Sequence, residues 1–372
     1  MKNVILFCED KNKRAYQHYL SFTEINKFLR FNFRVVCKHE FWKESLAYDD
    51  FLKINSNDAK KSIVLITSWI GLKKDEFDKI RNKFAFIISD FQDCAEGLTY
   101  LPGGDINRST QYYNMNNSDL IFLRDLRWSS FPTSRQICEK KETLLVYDFL
   151  LTKNINTPFK NKENNSFAFI GSYGVGENSD DLGYIKIFEK VLSQGSKVYF
   201  LPKKNHFNKH VDCEYSLLAK KFRKFIILNT VDSSEIFKKI SFCEFGMNCI
   251  QSDVFKVANP RVNPTYLAGC SSSRICDYSE SGLGVILTNS LKFMHANWNE
   301  SGACYKLDSD NIDNIIEFQK HLKDRFILDK YIRWYNSKYY KNNLTMLVNS
   351  VFAKHFHKKT ILGSFFMKKR FT

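Results

Sequence analysis

The sequence lacks the cysteine spacings that metal sites require. Its ten cysteines are scattered, with no CxxC pair and no metal-like spacing of cysteine and histidine. Scattered cysteines of this kind are typical of reduced, mostly buried thiols in a cytosolic protein. The sequence therefore argues against a structural zinc, and we expect neither a metal site nor a bound cofactor.

Long apolar runs and an N-terminal targeting signal are also missing. No stretch of about 18 apolar residues is present, which argues against a membrane-spanning helix. The acidic residues Glu9 and Asp10 follow the first short apolar run, too early for a signal peptide. These absences predict a cytoplasmic protein.

Length and charge indicate the number of domains and the kind of partner. With 372 residues and 44% hydrophobic content, the chain is long enough for two domains of roughly 150–200 residues. A net charge of +16 predicts anionic partners, either nucleic acid or lipid. No zinc finger, RNP-type motif or arginine-rich segment is present, so we do not expect nucleic acid as a partner.

The C-terminal segment offers a different anionic partner. Residues 354–372 carry six lysines and arginines and no acid, interleaved with phenylalanine, isoleucine, leucine and methionine. Such a segment suits the surface of an anionic bilayer, where the rings enter the interface and the lysines meet head groups. The alternative is a terminal helix that packs its apolar side on the protein. We expect a peripheral position on the inner face of the membrane.

Strands and helices alternate along the chain in a way that predicts parallel sheets. The polar, aperiodic segment at 151–166 is the best linker. It separates a first domain at 1–150 from a second at 167–350, with a basic aromatic tail at 351–372. Predicted strands are 3–8, 32–37, 62–68, 84–89, 119–123, 143–147, 166–171, 197–201, 224–229 and 285–287. Predicted helices are 12–29, 74–83, 109–117, 181–194 and 233–241.

The segment from Gly269 to Asn289 has the pattern of an anion site. Three serines precede a short helix that ends at Gly282 or Gly284 and leads into a buried strand. Unpaired N–H groups and the positive end of the helix dipole attract an anion, and Arg274 adds a charge-assisted contact. The alternative is an ordinary strand–helix–strand corner whose serines only cap the helix.

A second ligand loop is predicted after the strand at 166–171. The run Gly171-Ser172-Tyr173-Gly174-Val-Gly176 lets the backbone turn tightly or approach a ligand. Its glycine spacing does not fit a dinucleotide fingerprint. Lys203 follows the strand at 197–201 and is placed to meet a diphosphate, although an exposed surface lysine is the simpler interpretation.

The run Arg274-Ile-Cys-Asp277-Tyr278-Ser-Glu-Ser-Gly282-Leu-Gly-Val285-Ile286 resembles the Lys-x-x-Glu-Tyr-x-x-x-Gly-x-Pro-Val-Ile signature of GT-B glycosyltransferases. The resemblance implies an α/β fold of GT-B type: two Rossmann-like domains facing across a cleft, followed by C-terminal helices. It also implies a nucleotide sugar bound by the second domain without a metal, with Arg274 near the diphosphate and Asp277 on the ribose. The expected donor-binding residues are Gly171, Ser172, Tyr173, Gly174, Lys203, Ser272, Ser273, Arg274, Asp277 and Tyr278.

The first domain supplies candidates for the catalytic base. The strand at 84–89 leads into Asp90 and Asp93, beyond a strand end where a first domain would face the cleft. An inverting enzyme needs such a carboxylate, or a histidine, to take the proton of the acceptor hydroxyl. We expect Asp90 first and Asp93 second, the alternative being loop solvation or helix capping. Whether the reaction inverts or retains is left open.

These observations predict a metal-independent glycosyltransferase that moves a sugar from a nucleoside diphosphate sugar to a hydroxyl of a glycan or lipid-linked saccharide. Three alternatives stay open. A GT-B-fold nucleotide-sugar epimerase shares the donor machinery, and a polymer glycerophosphate-type transferase shares the fold and the basic charge. A basic nucleic-acid-binding protein would explain the charge alone.

Overall fold

The computed structural model describes residues 3–9, 13–38, 45–98, 103–148, 150–151, 155–171, 183–202, 214–232, 235–255 and 263–338. The described residues form two compact units, one reaching Leu151 and the other running from Thr152 to Lys338. Each unit contains one parallel sheet with helices packed against it. No helix in these residues is long and apolar enough to cross a membrane. The predicted tail at 351–372 lies outside the described residues.

The first unit alternates strands and helices, as the sequence predicts. Its strands are β1 (Asn3–Cys8), β2 (Asn32–Cys37), β3 (Ser62–Ser68), β4 (Phe86–Phe91), β5 (Leu120–Leu123) and β6 (Thr143–Leu145). Its helices are α1 (Lys13–Leu29), α2 (Tyr48–Leu52), α3 (Ser56–Ala59), α4 (Lys74–Arg81), α5 (Gly104–Asn117), α6 (Arg127–Ser130) and α7 (Pro132–Lys140). The sequence analysis did not predict α6 and α7.

The first sheet is buried on both faces. Along β1, Val4 and Leu6 contribute to one apolar cluster, whereas Ile5 and Phe7 contribute to another. Successive side chains of a strand point to opposite faces, so this division means that helices cover both sides. The strand order is β2-β1-β3-β4-β5-β6, and it reverses direction between β1 and β3.

The second unit repeats this architecture. Its strands are β7 (Glu163–Gly171), β8 (Lys197–Pro202), β9 (Phe225–Ile227), β10 (Cys243–Asn248), β11 (Gly284–Thr288) and β12 (Cys304–Leu307), in the order β12-β11-β10-β7-β8-β9. Its helices are α8 (Ile185–Ser193), α9 (Glu214–Lys221), α10 (Ile236–Ile240), α11 (Gln251–Val254), α12 (Pro264–Gly269), α13 (Ser273–Glu280), α14 (Lys292–Trp298), α15 (Ile315–Asp324) and α16 (Leu328–Lys338). This order reverses between β10 and β7.

Two differences from the predicted elements have clear physical causes. Strand β7 begins at Glu163, inside the predicted linker, because the Glu163 carboxylate accepts hydrogen bonds from Lys197 and Tyr199 of the neighbouring strand. Strand β10 was not predicted, since its sequence contains an acid and a glycine. The structure pairs buried Glu244 with Lys323 at 2.8 Å, and it needs Gly246 because a Cβ there would lie 2.1 Å from the Tyr278 ring.

Candidate functional site

The carboxyl ends of β7 and β10 are neighbours in the second unit, and the space outside them is the candidate crevice. In open parallel sheets, ligands bind outside the carboxyl ends of the strands at the point where the strand order reverses. Here that point lies between β10 and β7, at Asn248 and Gly171. Helix α13 begins beside it and places Arg274 in its first turn.

Arg274 is held in place by neutral groups. Its Nη1 donates to the Tyr184 hydroxyl and to Asn248 Oδ1, both at 3.0 Å. The guanidinium carbon lies 5.2 Å from the centre of the Phe169 ring, within reach of a cation–π interaction. Gly171 makes room for this ring, since a Cβ there would come within 2.7 Å of it. The arginine is therefore oriented by a hydroxyl, an amide and an aromatic face.

No carboxylate among the described residues pairs with Arg274. Its Nε and Nη2 groups likewise donate no hydrogen bond to a described residue. A half-buried guanidinium whose charge is not matched attracts an anion, and its planar fork suits a phosphate. The crevice is therefore chemically suited to an anionic ligand.

The start of α13 adds to this positive field. Ser272 is the N-cap residue, but its side chain makes no capping hydrogen bond, and Ser273 is half-buried. A helix N-terminus presents backbone N–H groups and a partial positive charge to an anion. At the other end, Gly282 adopts φ +68° and stops the helix, as predicted.

Asp277 lies one turn after Arg274 and is only 6% exposed. A ribose hydroxyl would therefore have to reach a largely enclosed carboxylate. Ser172, Tyr173, Gly174 and Lys203 lie outside the described residues.

Tyr278, which the sequence analysis expected to bind the donor, lies in the core of the second unit. Its side chain is fully buried, and its hydroxyl donates to the Met247 carbonyl at 2.9 Å and accepts from the Ile170 amide at 3.1 Å. These two hydrogen bonds link β10 to β7, and the tyrosine ring packs against Gly246. The tyrosine of the motif is a core residue here, because packing of α13 on the sheet turns it inward.

The first unit has charged side chains at the corresponding edge of its sheet, but they are paired. Asp90 lies in β4 and is completely buried. Its two oxygens accept from Arg14 Nε and Nη2 at 2.9 and 2.8 Å, and His18 Nε2 lies 2.7 Å from Oδ2. Arg14 and His18 stand one turn apart on α1, so one helix face encloses the carboxylate.

This geometry does not favour the prediction that Asp90 acts as the catalytic base. Burial alone would raise the pKa of Asp90, but Arg14 and His18 outweigh it and hold the pKa well below its usual range. A carboxylate with such a low pKa is a weak proton acceptor, and no surface of Asp90 faces solvent. Its role is to neutralise Arg14 inside the unit.

Asp93 is also committed to a network. Its Oδ1 accepts from Arg127 Nη1 at 2.5 Å and its Oδ2 accepts from the Trp69 indole at 2.6 Å. Burial raises the pKa of Asp93, but Arg127 more than compensates and lowers it. A lowered pKa weakens a general base. The structure therefore does not favour Asp93 as the base either.

His18 is the titratable group that the sequence analysis missed. Its ring packs near Phe22 and Phe122, and its Nδ1 has no hydrogen-bond partner in the described residues. Burial lowers the pKa of His18 more than Asp90 raises it, so the ring is neutral at neutral pH. The His18 side chain is fully buried, so in this structure it has no surface that the hydroxyl of a sugar acceptor could reach. The sequence signal that could have revealed His18 was its spacing of one helical turn from Arg14, which places both residues on the buried face of α1.

No protein-family model and no curated protein matches this chain. Solved structures do match it over nearly its whole length. An α-glucosyltransferase in complex with UDP and a DNA 13-mer has a TM-score of 0.56 at 13% identity, covering 93% of this chain and 99% of that one. The chain has the GT-B fold.

Two further GT-B structures support this assignment. A putative UDP-N-acetylglucosamine 2-epimerase from Listeria monocytogenes has a TM-score of 0.54 at 11% identity, covering 95% of this chain and 97% of that one. A DNA-modifying β-glucosyltransferase has a TM-score of 0.53 at 12% identity, covering 95% and 99%. Both predictions of the sequence analysis on family resemblance and fold class are confirmed at the level of the fold.

Proposed function

We propose that the protein is a glycosyltransferase that moves a sugar from a nucleoside diphosphate sugar to a hydroxyl of a glycan or lipid-linked saccharide. The observation that carries this proposal is Arg274, which stands at the strand-order reversal of a GT-B second unit without a carboxylate partner among the described residues. The diphosphate of the donor would supply the missing negative charge.

The proposed chemistry needs stabilisation of the leaving group. As the sugar departs, negative charge grows on the nucleoside diphosphate, and preorganised positive groups lower the energy of that state. Arg274 and the N-terminus of α13 would serve this purpose, so we propose a reaction without a bound metal. Activity that survives excess EDTA would support this part, and activity that EDTA abolishes would contradict it.

A thermal-shift panel tests donor binding. UDP, GDP, CDP, ADP and CMP are added to the parent protein, to Arg274→Ala, to Asp277→Ala and to the surface control Arg223→Ala. A ligand that binds only the folded state raises the melting temperature. We expect one nucleotide to stabilise the parent and Arg223→Ala but neither site variant. Failure of every nucleotide to stabilise the parent would contradict the proposal.

An epimerase is the second candidate, because one of the structural neighbours is described as a UDP-N-acetylglucosamine 2-epimerase. The two reactions differ in their products. A transferase releases free nucleoside diphosphate when acceptor is present, whereas an epimerase converts one nucleotide sugar into another without a net release. Incubation with UDP-glucose and UDP-N-acetylglucosamine, followed by chromatography of the nucleotides, separates the two.

The acceptor is proposed to lie at an anionic membrane surface, because the tail at 354–372 is basic and rich in aromatic residues. Sedimentation with vesicles of phosphatidylglycerol and phosphatidylcholine tests this for the full chain and for a chain ending at 350. Two structural neighbours act on or bind DNA. Duplex DNA is therefore included as an acceptor, and transfer to it would contradict the saccharide acceptor.

A further inference from the structure

The hydroxyl of Tyr184 has an unusual set of partners. Tyr184 immediately precedes α8 and is 8% exposed, and its ring centre lies 4.2 Å from that of Phe169, with the two rings tilted by 39°. Its oxygen accepts a hydrogen bond from Arg274 Nη1 at 3.0 Å and another from the Cys249 backbone N–H at 3.2 Å. Both partners are groups that can only donate.

A phenol oxygen accepts two hydrogen bonds and donates one. The two acceptor positions of Tyr184 are occupied, so its own proton must point in a third direction. No described residue accepts that proton. Burial raises the pKa of Tyr184, which keeps the proton in place at neutral pH. A buried donor without an acceptor is costly, so such a group is a sign that a ligand completes it.

Arg274 shows the same incomplete pattern beside it. Both protons of Nη1 are used by Tyr184 and Asn248, which leaves Nη2 and Nε without a described partner. The tyrosine hydroxyl and the outer edge of the guanidinium are thus adjacent donors that lack acceptors. A phosphate group has several oxygens at the spacing that adjacent donors need.

We propose that Tyr184 is a direct phosphate-binding residue, which donates its hydroxyl proton to an oxygen of the diphosphate held by Arg274. This inference rests on the proposed function, because it assigns a second donor to the same nucleotide site. It goes beyond the sequence motif, since Tyr184 lies 90 residues before Arg274. Tyr184 therefore contacts the ligand and does not merely orient the arginine.

The first test is titration calorimetry with UDP, or with whichever of GDP, CDP and ADP the parent binds. Tyr184→Phe keeps the ring and removes the hydroxyl, and we expect the affinity to fall roughly ten- to a hundredfold, the effect of losing a hydrogen bond to a charged group. The control is Tyr331→Phe, which removes a buried hydroxyl bonded to the Ser279 carbonyl at 3.1 Å in the same unit. This control should bind the nucleotide as the parent does.

Loss of affinity alone would also follow if Tyr184 only positioned Arg274. Site-specific replacement of Tyr184 by 3-fluorotyrosine separates these roles and avoids a folding defect, because fluorine makes the phenol a stronger donor and a weaker acceptor. Direct donation predicts tighter nucleotide binding. Unchanged or weaker binding would overturn the inference and leave the proposed function intact, whereas a parent that binds no nucleoside diphosphate would overturn both.

Discussion

The two units place an arginine in the first turn of a helix beside the carboxyl edge of a parallel sheet, yet they treat its charge differently. In the first unit, Arg14 is enclosed and its charge is matched by Asp90 at 2.8 Å. In the second, Arg274 is bonded to Tyr184 and Asn248, both neutral. On the proposed function, the same architectural position serves stability in one unit and ligand binding in the other, and the partner of the arginine decides which.

The largest expected effect comes from breaking the matched pair. Asp90→Asn removes the charge of the carboxylate that accepts from Nε and Nη2 of Arg14, and leaves only Asp148, 3.8 Å from Nη1, as a buried counter-charge among the described residues. We expect the free energy of unfolding to fall by about 3–5 kcal/mol. Urea denaturation measures it. The control is Asp105→Asn, which removes an exposed pair with Arg108 and should change stability by less than about 1 kcal/mol. Equal effects for both variants would mean that the buried pair contributes no more than a surface pair.

The next largest effect is expected for Tyr278, the core tyrosine of α13, and it should concern stability and not ligand binding. Tyr278→Phe leaves the Met247 carbonyl and the Ile170 amide buried without partners, so we expect a loss of about 1–3 kcal/mol in the free energy of unfolding. Nucleoside diphosphate affinity, measured by calorimetry, should be unchanged. A large loss of affinity with intact stability would return Tyr278 to the donor site.

A pH dependence reports on the enclosed histidine of the first unit. The folded-state pKa of His18 is lowered by burial, so below the unfolded pKa of about 6.5 the unfolded chain binds a proton that the folded chain does not. Stability should therefore fall as the pH drops from 7.5 to 5, by at most about 1.4 kcal/mol per pH unit for this group.

The variant His18→Gln should remove part of this slope in urea unfolding followed at several pH values. The exposed His321→Gln is the matched control and should keep the slope of the parent. If His18→Gln and the parent have the same slope, His18 is not the group that takes up the proton on unfolding.

Local patterns in the sequence were sufficient to predict much of the fold. The strands at 3–8, 32–37 and 62–68 have the predicted bounds because each is rich in β-branched and aromatic side chains. Strand β10 was missed because buried Glu244 and Gly246 interrupt its apolar pattern. Their partners, Lys323 and the Tyr278 ring, lie far away in sequence, so a local pattern does not reveal why they are tolerated.

The candidate site likewise combines a local sequence motif with partners that are distant in sequence. The motif around Arg274 was visible in one stretch of chain, whereas Tyr184, Asn248 and Phe169 come from three other elements and meet it only after folding. Asp90 was predicted to follow a strand that ends at 89, but it lies inside β4 (Phe86–Phe91). Its pairing could not be predicted, because its partner Arg14 lies 76 residues away in the sequence.

The most direct test is to give Arg274 the partner that Arg14 has. Asn248→Asp places a carboxylate beside the guanidinium, and Asn314→Asp makes the same change at an exposed site of the same unit. Calorimetry of nucleoside diphosphate binding should show at least tenfold weaker affinity for Asn248→Asp, with Asn314→Asp like the parent, because the new carboxylate neutralises the arginine and repels the phosphate. Undiminished binding to Asn248→Asp would contradict the claim that the uncompensated charge of Arg274 makes the nucleotide site.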